Sequence, residues 1–328
     1  MSTLPTKRRR WFPGAVAGLI FGGGIAAALG WAAYSALFVR HNRNLPPAID
    51  AERRSFASRG TGVLSYYVDR HAEGRPLVLI HSINAAASAY EMRPIFNDFR
   101  SVRPVYALDL PGFGFSDRAN RVYTPSLYVE AITALLTTQI REAGPVDVVA
   151  LSLGAEFAAL TAAAHPELIR SLALISPTGL DQRVRTGGSD GFYRALSFPV
   201  WSQPLYDLLV TPASLRFFLQ LSFEGPVDPG LLAYAEITSH RPGARHAPLY
   251  FISGKLFTPQ IGEVYRTLQT PTLVLYDRDN FTGFSALPGL LAANPAWRAA
   301  RITPTKGLPH FEKMEEVSEA LDGFWSTL

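Results

Sequence analysis

Cysteine is absent from the 328 residues. Disulfides, thiolate metal sites and a cysteine nucleophile are therefore excluded, while the redox compartment is not decided. Charge is sparse, at 18% of residues, and its positive excess is local. Residues 1–60 hold nine Lys or Arg against two acids, and the remainder holds 22 against 25. The globular part thus lacks the basic face that a nucleic-acid partner requires. Metal-ligand spacing is also missing: His240 and His246 are six apart across Pro242 and Gly243, which fits no ligand set. There is no phosphate-binding glycine loop and no internal repeat, so neither a metal nor a cofactor is expected. Apolar residues, by contrast, are plentiful. At 48% hydrophobic the chain can bury a sizeable core, as one large α/β domain or two ordinary ones.

The N-terminus carries a different signal. Lys7-Arg8-Arg9-Arg10 precedes a stretch from Trp11 to Val39 without a charge. A membrane-spanning helix takes about 20 apolar residues, and a signal-peptide core is usually only about 7–15. Trp11 and Trp31 suit interfacial positions. The reading is a basic N-terminus at 1–10, a single-pass transmembrane helix in the bilayer at 11–39, and a tether at 40–60. A cleaved signal peptide is the competing reading. The basic cluster before the span favours an extracytoplasmic globular domain, although Arg40, Arg43, Arg53 and Arg54 follow it closely. Gly14, Gly18 and Gly22 form a small-residue row that suits helix–helix self-association.

From residue 61 onward, short apolar runs alternate with helical periods. Strands are expected at Gly62 to Val68, Pro76 to His81, Pro104 to Asp109, Val146 to Leu151, Leu172 to Ser176, Thr272 to Tyr276 and Arg301 to Thr303. Helices are expected at Ser126 to Ala143, Ala155 to Ala164 and Glu315 to Trp325. Such alternation implies an α/β fold, a mostly parallel central sheet with helices on both faces. Sites in such sheets form at the carboxyl ends of strands, where His81, Asp109, Ser152, Ser176, Asp277 and Asp279 fall. The alternation stops from about 182 to 264. That stretch reads as an inserted helical cap, with helical segments at Phe192 to Val210, Ala213 to Phe223 and Gly230 to Ser239. Its aromatics, among them Phe192, Tyr193, Trp201, Tyr206, Phe218 and Phe223, favour a hydrophobic small-molecule substrate.

The sharpest stretch is Ala150-Leu151-Ser152-Leu153-Gly154, an apolar strand entering a serine and then an Ala-rich helix. It has the layout of a nucleophile elbow, G-x-S-x-G, with alanine at the first small position. Asp109-Leu110-Pro111-Gly112-Phe113-Gly114-Phe115-Ser116-Asp117 and the run from His165-Pro166-Glu167 to Ile175-Ser176-Pro177 complete a set that resembles the α/β-hydrolase superfamily, in its cap-bearing form. The resemblance covers 61–328 and implies the α/β-hydrolase fold, with the cap after strand 6.

The resemblance also implies a serine-hydrolase site. Ser152 is the nucleophile, and an imidazole must take its proton. His310 lies after the last strand, in Gly307-Leu308-Pro309-His310-Phe311-Glu312. The superfamily places its histidine five residues before a Glu. His310 meets this with Glu315, while the register set by Glu312 puts Gly307 at that position. With no other histidine nearby, an active enzyme calls for His310. Asp279 is the orienting acid, with Asp277 as runner-up and Asp181 a distant third. By position, the N–H groups of Ile83 and Leu153 form the oxyanion hole. Serine follows His81 where the superfamily often has glycine, so Ser82 or Asn84 could add a side-chain donor. His81 itself reads as structural.

The expected activity is hydrolysis of an ester or similar acyl bond in a hydrophobic molecule, through an acyl-enzyme. Two alternatives remain: other chemistry of the same fold, C–C bond hydrolysis or cofactor-free perhydrolysis, and a non-catalytic binding protein on the scaffold.

Overall fold

The computed structural model describes residues 27, 29–140, 144–181 and 187–328. The chain divides into two units, 1–40 and 41–328. In the first, residues 29–38 are helical, and Trp31, Tyr34 and Phe38 stack in succession with ring centroids 5.6 and 5.4 Å apart. Most of the expected span, 11–26, lies outside the described residues. Among the described residues no helix is long and apolar enough to cross a membrane.

The second unit is built on one eight-stranded sheet. Its strands are β1 Glu52–Ser58, β2 Gly62–Asp69, β3 Leu77–Ile80, β4 Val105–Asp109, β5 Val146–Leu151, β6 Ile169–Ile175, β7 Thr272–Tyr276 and β8 Trp297–Arg301. Their order is β1-β2-β4-β3-β5-β6-β7-β8, antiparallel from β1 to β4 and parallel from there on. The residues of β3 are all fully buried, as expected of a strand covered on both faces. Alternation still sorts them. Val78 and Ile80 join one core with α2 Pro125–Gln139 and α3 Leu153–Ala164. Leu77 and Leu79 join the other with α1 Arg93–Phe99 and α12 Met314–Trp325. The start of α2 is set by Thr124, whose Oγ1 accepts the Leu127 N–H at 3.3 Å, and by Pro125 behind it.

Between β6 and β7 the expected cap forms. It contains α4 Asp190–Leu196, α5 Ser202–Leu209, α6 Pro212–Gln220, α7 Pro229–Ser239 and α8 His246–Ile252. The segment expected as one helix from Phe192 to Val210 is divided around Pro199, where the ring removes a backbone donor. Back on the sheet side, α9 Ile261–Thr267 and α10 Leu287–Ala293 contribute Ile261, Tyr265, Leu287 and Leu290 to the first core. The short α11 Pro309–Glu312 precedes α12.

Two expectations change. The stretch 40–60 is not a tether beyond residue 40. Leu45, Ala48 and Ile49 are buried in the second core, the Ala48 N–H donates to the Tyr67 hydroxyl at 2.8 Å, and Glu52–Ser58 is the edge strand. Its charges mislead because an edge strand tolerates them along its solvent side. The last strand is Trp297–Arg301 rather than Arg301–Thr303, since Trp297 supplies the buried anchor at 3% exposure.

Candidate active site

At the carboxyl end of β5 the chain turns sharply into α3, and Ser152 occupies the turn with φ +53° and ψ −119°. A non-glycine residue held there stores strain of order 1–3 kcal/mol, which the surrounding structure must fix. It does so through close packing. The Ser152 N–H donates to the Ile175 carbonyl at 2.9 Å, and the Ser152 carbonyl accepts from Ala155 N–H at 3.1 Å. A Cβ on Gly154 would stand 2.3 Å from the His81 carbonyl oxygen, so only glycine lets β3's outgoing loop pass. Ala150 is fully buried, and its methyl group fits where the usual pattern has glycine.

Ser152 lies on a cavity of about 400 Å³ between the carboxyl ends of the strands and the cap. The cap side is apolar, with Leu215, Phe218, Leu219, Phe251, Ile252 and Phe257. Of the aromatics singled out in the cap sequence only Phe218 lines it; Tyr193, Tyr206 and Phe223 are packing, and Phe192 and Trp201 face solvent. The sheet side contributes Ser152, Leu153, Ile83, Glu91, Asp279 and Gly307. Among the described residues that line this cavity there is no histidine, lysine or arginine. A second cleft, of about 460 Å³, lies between Leu136 and Leu168 and holds no nucleophile beyond Thr137. Among the described residues no cluster of three or more His, Asp or Glu could hold a metal.

The loop after β3 is held rigid by its own polar groups. The Ser82 N–H donates to Glu91 Oε2 at 2.9 Å, and Asn84 Nδ2 donates to Glu91 Oε1 at 2.7 Å and to Ser82 Oγ at 2.9 Å. Asn84 and Ser82 thus serve the loop. Burial pushes the Glu91 carboxyl up, against the hydrogen bonds from Ser82 and Asn84. The sequence offered no signal for Glu91, which reaches the loop from nine residues downstream. His81 is fully buried: Leu110 N–H donates to its Nε2 at 3.0 Å, and its Nδ1 donates to the Ser82 carbonyl at 2.6 Å. Burial lowers its pKa to about 4, so it is a neutral structural ring. The N–H groups of Ile83 and Leu153 have no hydrogen-bond partner among the described residues, and both residues border the cavity. For Leu153 this follows from its place at the first turn of α3, where N–H groups lack an intrahelical acceptor.

The two acids after β7 have separate fates. Asp277 accepts from Arg301 Nε at 2.7 Å and from Thr305 N–H at 3.0 Å, which ties β7 to the loop after β8. Burial alone would raise its pKa, but these bonds outweigh it and hold the carboxyl down. Asp279 borders the cavity. Its Oδ1 accepts from Phe281 N–H at 2.6 Å and Thr282 N–H at 3.3 Å, and its Oδ2 has no donor among the described residues. Burial raises its pKa, opposed by those two N–H groups. Asp109 is a staple, accepting from Ala89 N–H and Phe115 N–H at 3.0 Å each.

His310 is not brought to this group. The ring is fully buried behind the lining, Nε2 donates to the Glu91 carbonyl at 2.7 Å, and Nδ1 has no partner. Burial drives its pKa down to about 4, opposed by that carbonyl. The expectation that His310 faces Ser152 is therefore corrected. The residue that borders the cavity beside Asp279 is Gly307, where a Cβ would lie 2.8 Å from Asp279 Oδ2. Glu312 instead accepts the N–H groups of Glu224 and Gly225 at 2.8 Å each and pins the cap's edge. The register set by Glu312 is the one the backbone follows.

A model of the alpha/beta hydrolase family matches residues 77–320. Over 117 residues, 35% of this chain, the sequence is 32% identical to a 2-hydroxymuconate semialdehyde hydrolase of Pseudomonas sp. (strain CF600). That match spans 40% of the relative's length. Among solved structures, a probable hydrolytic enzyme from Pseudomonas aeruginosa PAO1 has a TM-score of 0.70 at 18% identity, covering 88% of this chain and 99% of that one. A membrane phospholipase A described as a bacterial virulence factor has a TM-score of 0.68 at 20% identity, covering 96% and 97%. These last likenesses are of fold. With a strained serine raised over a parallel sheet, a helical cap after β6 and a family match across three quarters of its length, the chain belongs to the alpha/beta hydrolase family.

Proposed function

We propose that this chain hydrolyses an ester or similarly activated acyl bond of a hydrophobic small molecule, with Ser152 as nucleophile. The observation that carries the reading is Ser152, strained at the elbow and lining an apolar cavity together with Ile83 and Leu153, whose N–H groups are unengaged among the described residues. As Oγ bonds to the carbonyl carbon, the developing oxyanion is received by the N–H groups of Ile83 and Leu153. A base associated with Asp279 takes the Ser152 proton and returns it to the leaving group, and water then releases the acid. The apolar cap wall favours long or aromatic acyl chains over short polar ones. The N-terminal stretch 11–39 holds the domain to a bilayer, on the extracytoplasmic side by its flanking charge, and its glycine row pairs helices.

A second reading keeps the pocket and changes the bond. The relative named above is a 2-hydroxymuconate semialdehyde hydrolase, which favours a carbon–carbon bond next to a carbonyl. Hydrolysis of p-nitrophenyl esters of increasing chain length tests the first reading. Turnover is expected to improve with chain length and to fall at least about 100-fold in Ser152→Ala. An unchanged rate in Ser152→Ala would remove the nucleophile from the account. Turnover of a vinylogous 1,5-diketone with no ester turnover would select the second reading.

A further inference from the structure

A serine hydroxyl is a weak nucleophile until a base takes its proton, and this cavity has no basic side chain among its described lining residues. Its two carboxylates differ in availability. Both oxygens of Glu91 accept hydrogen bonds from the loop after β3. Asp279 has one oxygen committed to its own loop and one, Oδ2, that accepts nothing among the described residues and sits against Gly307. His310, three residues on, spends Nε2 on the Glu91 carbonyl and buries Nδ1. The donor that Asp279 Oδ2 is placed to hold is therefore supplied by no side chain described here.

We propose that the cavity surface at Gly307 is a subsite for a nitrogen base, an imidazole or a compact amine, which donates to Asp279 Oδ2 and serves as the proton carrier for Ser152. The catalytic part rests on the reading of Ser152 as nucleophile; the binding part does not. The base's lone pair takes the Oγ proton as the Oγ–carbonyl bond forms. The resulting cation is held by the Asp279 carboxylate. It returns the proton to the leaving oxygen as that bond breaks, and the base is neutral again at the end. The nitrogen can arrive as a free small molecule or as part of a hydrophobic substrate whose body lies along Leu215, Phe218 and Phe251. Gly307 matters because it carries no side chain to fill the place. Its backbone accepts other residues: no left-handed φ is required, and the one contact of an added Cβ under 3 Å is with Asp279 Oδ2, which a small shift of that carboxylate would relieve.

The test uses the full chain and imidazole as probe. Ester hydrolysis, corrected for the rate with Ser152→Ala, is expected to rise saturably with imidazole by about 100-fold or more. Gly307→His is expected to reach a comparable rate without imidazole and to gain nothing from it. Asp279→Asn loses the stimulation and His310→Gln keeps it. An ester bearing an imidazole or a primary amine, turned over faster than its carbon isostere, identifies the substrate as the source; equal rates identify a free base. Binding is read separately, as saturable NMR shifts of imidazole on Ser152→Ala that vanish when Asp279→Asn is added. Binding without Ser152-dependent turnover retains the subsite and removes the nucleophile. No binding and no stimulation, with hydrolysis that still needs Ser152, overturns the proposal and leaves the nucleophile. Loss of hydrolysis in His310→Gln, with the fold intact by circular dichroism and no effect of Gly307→His, also overturns it.

Discussion

His81 and His310 are fully buried rings that burial keeps neutral, each with a pKa near 4 against an ordinary value of 6.5. An unfolded chain takes up protons on them below about 6.5, and the fold does not follow until about 4. Stability therefore falls as pH drops through that window, by up to roughly 1.4 kcal/mol per pH unit for each ring. Glu91, Asp109 and Asp279, whose pKa values burial raises, act in the opposite sense: they retain protons that the unfolded chain releases, so their contribution is lost as pH rises through their folded values. His310→Gln keeps a donor for the Glu91 carbonyl and removes one titration. Urea unfolding at pH 7 and pH 5 is expected to show a stability difference smaller than wild type's by about 1–2 kcal/mol. An unchanged difference would mean that His310 is accessible and protonates in the fold. The same ring marks where sequence reasoning stopped. A loop with one histidine and two downstream acids admits two registers, and composition favours the one that supplies an imidazole. Only the path of the backbone, with Glu312 turned to the Glu224 and Gly225 N–H groups, selects the other.

At the scale of elements, the elbow, the Asp109 loop and the cap were legible because each rests on steric demands that few residues meet. Gly114 is an instance: a Cβ there would fall 2.0 Å from the Asp109 carboxylate, which the loop wraps. β1 was not legible, since Glu52-Arg53-Arg54 reads as solvated linker until β2 is beside it. Its burial contributions come from the residues ahead of it. His41 Nε2 contacts both oxygens of buried Asp207 at 2.9 and 3.0 Å, and Tyr234 donates to the Pro46 carbonyl at 3.2 Å. These contacts make residue 41 the start of the folded unit. A 41–328 fragment is expected to unfold in one cooperative transition, whereas 61–328 strips Leu45, Ile49 and β1 and unfolds at lower denaturant or is recovered insoluble. Equal midpoints would return 41–60 to the status of a tether. Full-length protein remaining with membranes on carbonate extraction, with 41–328 released, supports the N-terminal anchor; release of both contradicts it.

Over the whole molecule, charge and chemistry are separated along β5. Near its start, buried Asp147 is paired with Arg170 at 2.8 Å and Arg103 at 2.5 Å, and it accepts from Ser171 at 2.5 Å. Burial opposes ionisation there, but those partners hold its pKa below the usual range, as befits a structural clamp. About 16 Å away, at five residues of strand rise, Ser152 meets an apolar cavity whose two acids, Glu91 and Asp279, have no cationic partner among the described residues. The central claim is that this serine, and no other group, forms the covalent bond to the acyl carbon. Intact-mass and peptide analysis after exposure to a fluorophosphonate, with imidazole present, tests it most directly. The account predicts one adduct, on the peptide containing Ser152 and absent from Ser152→Ala. An adduct on another residue, or none on wild type beside a labelled control hydrolase, would contradict it.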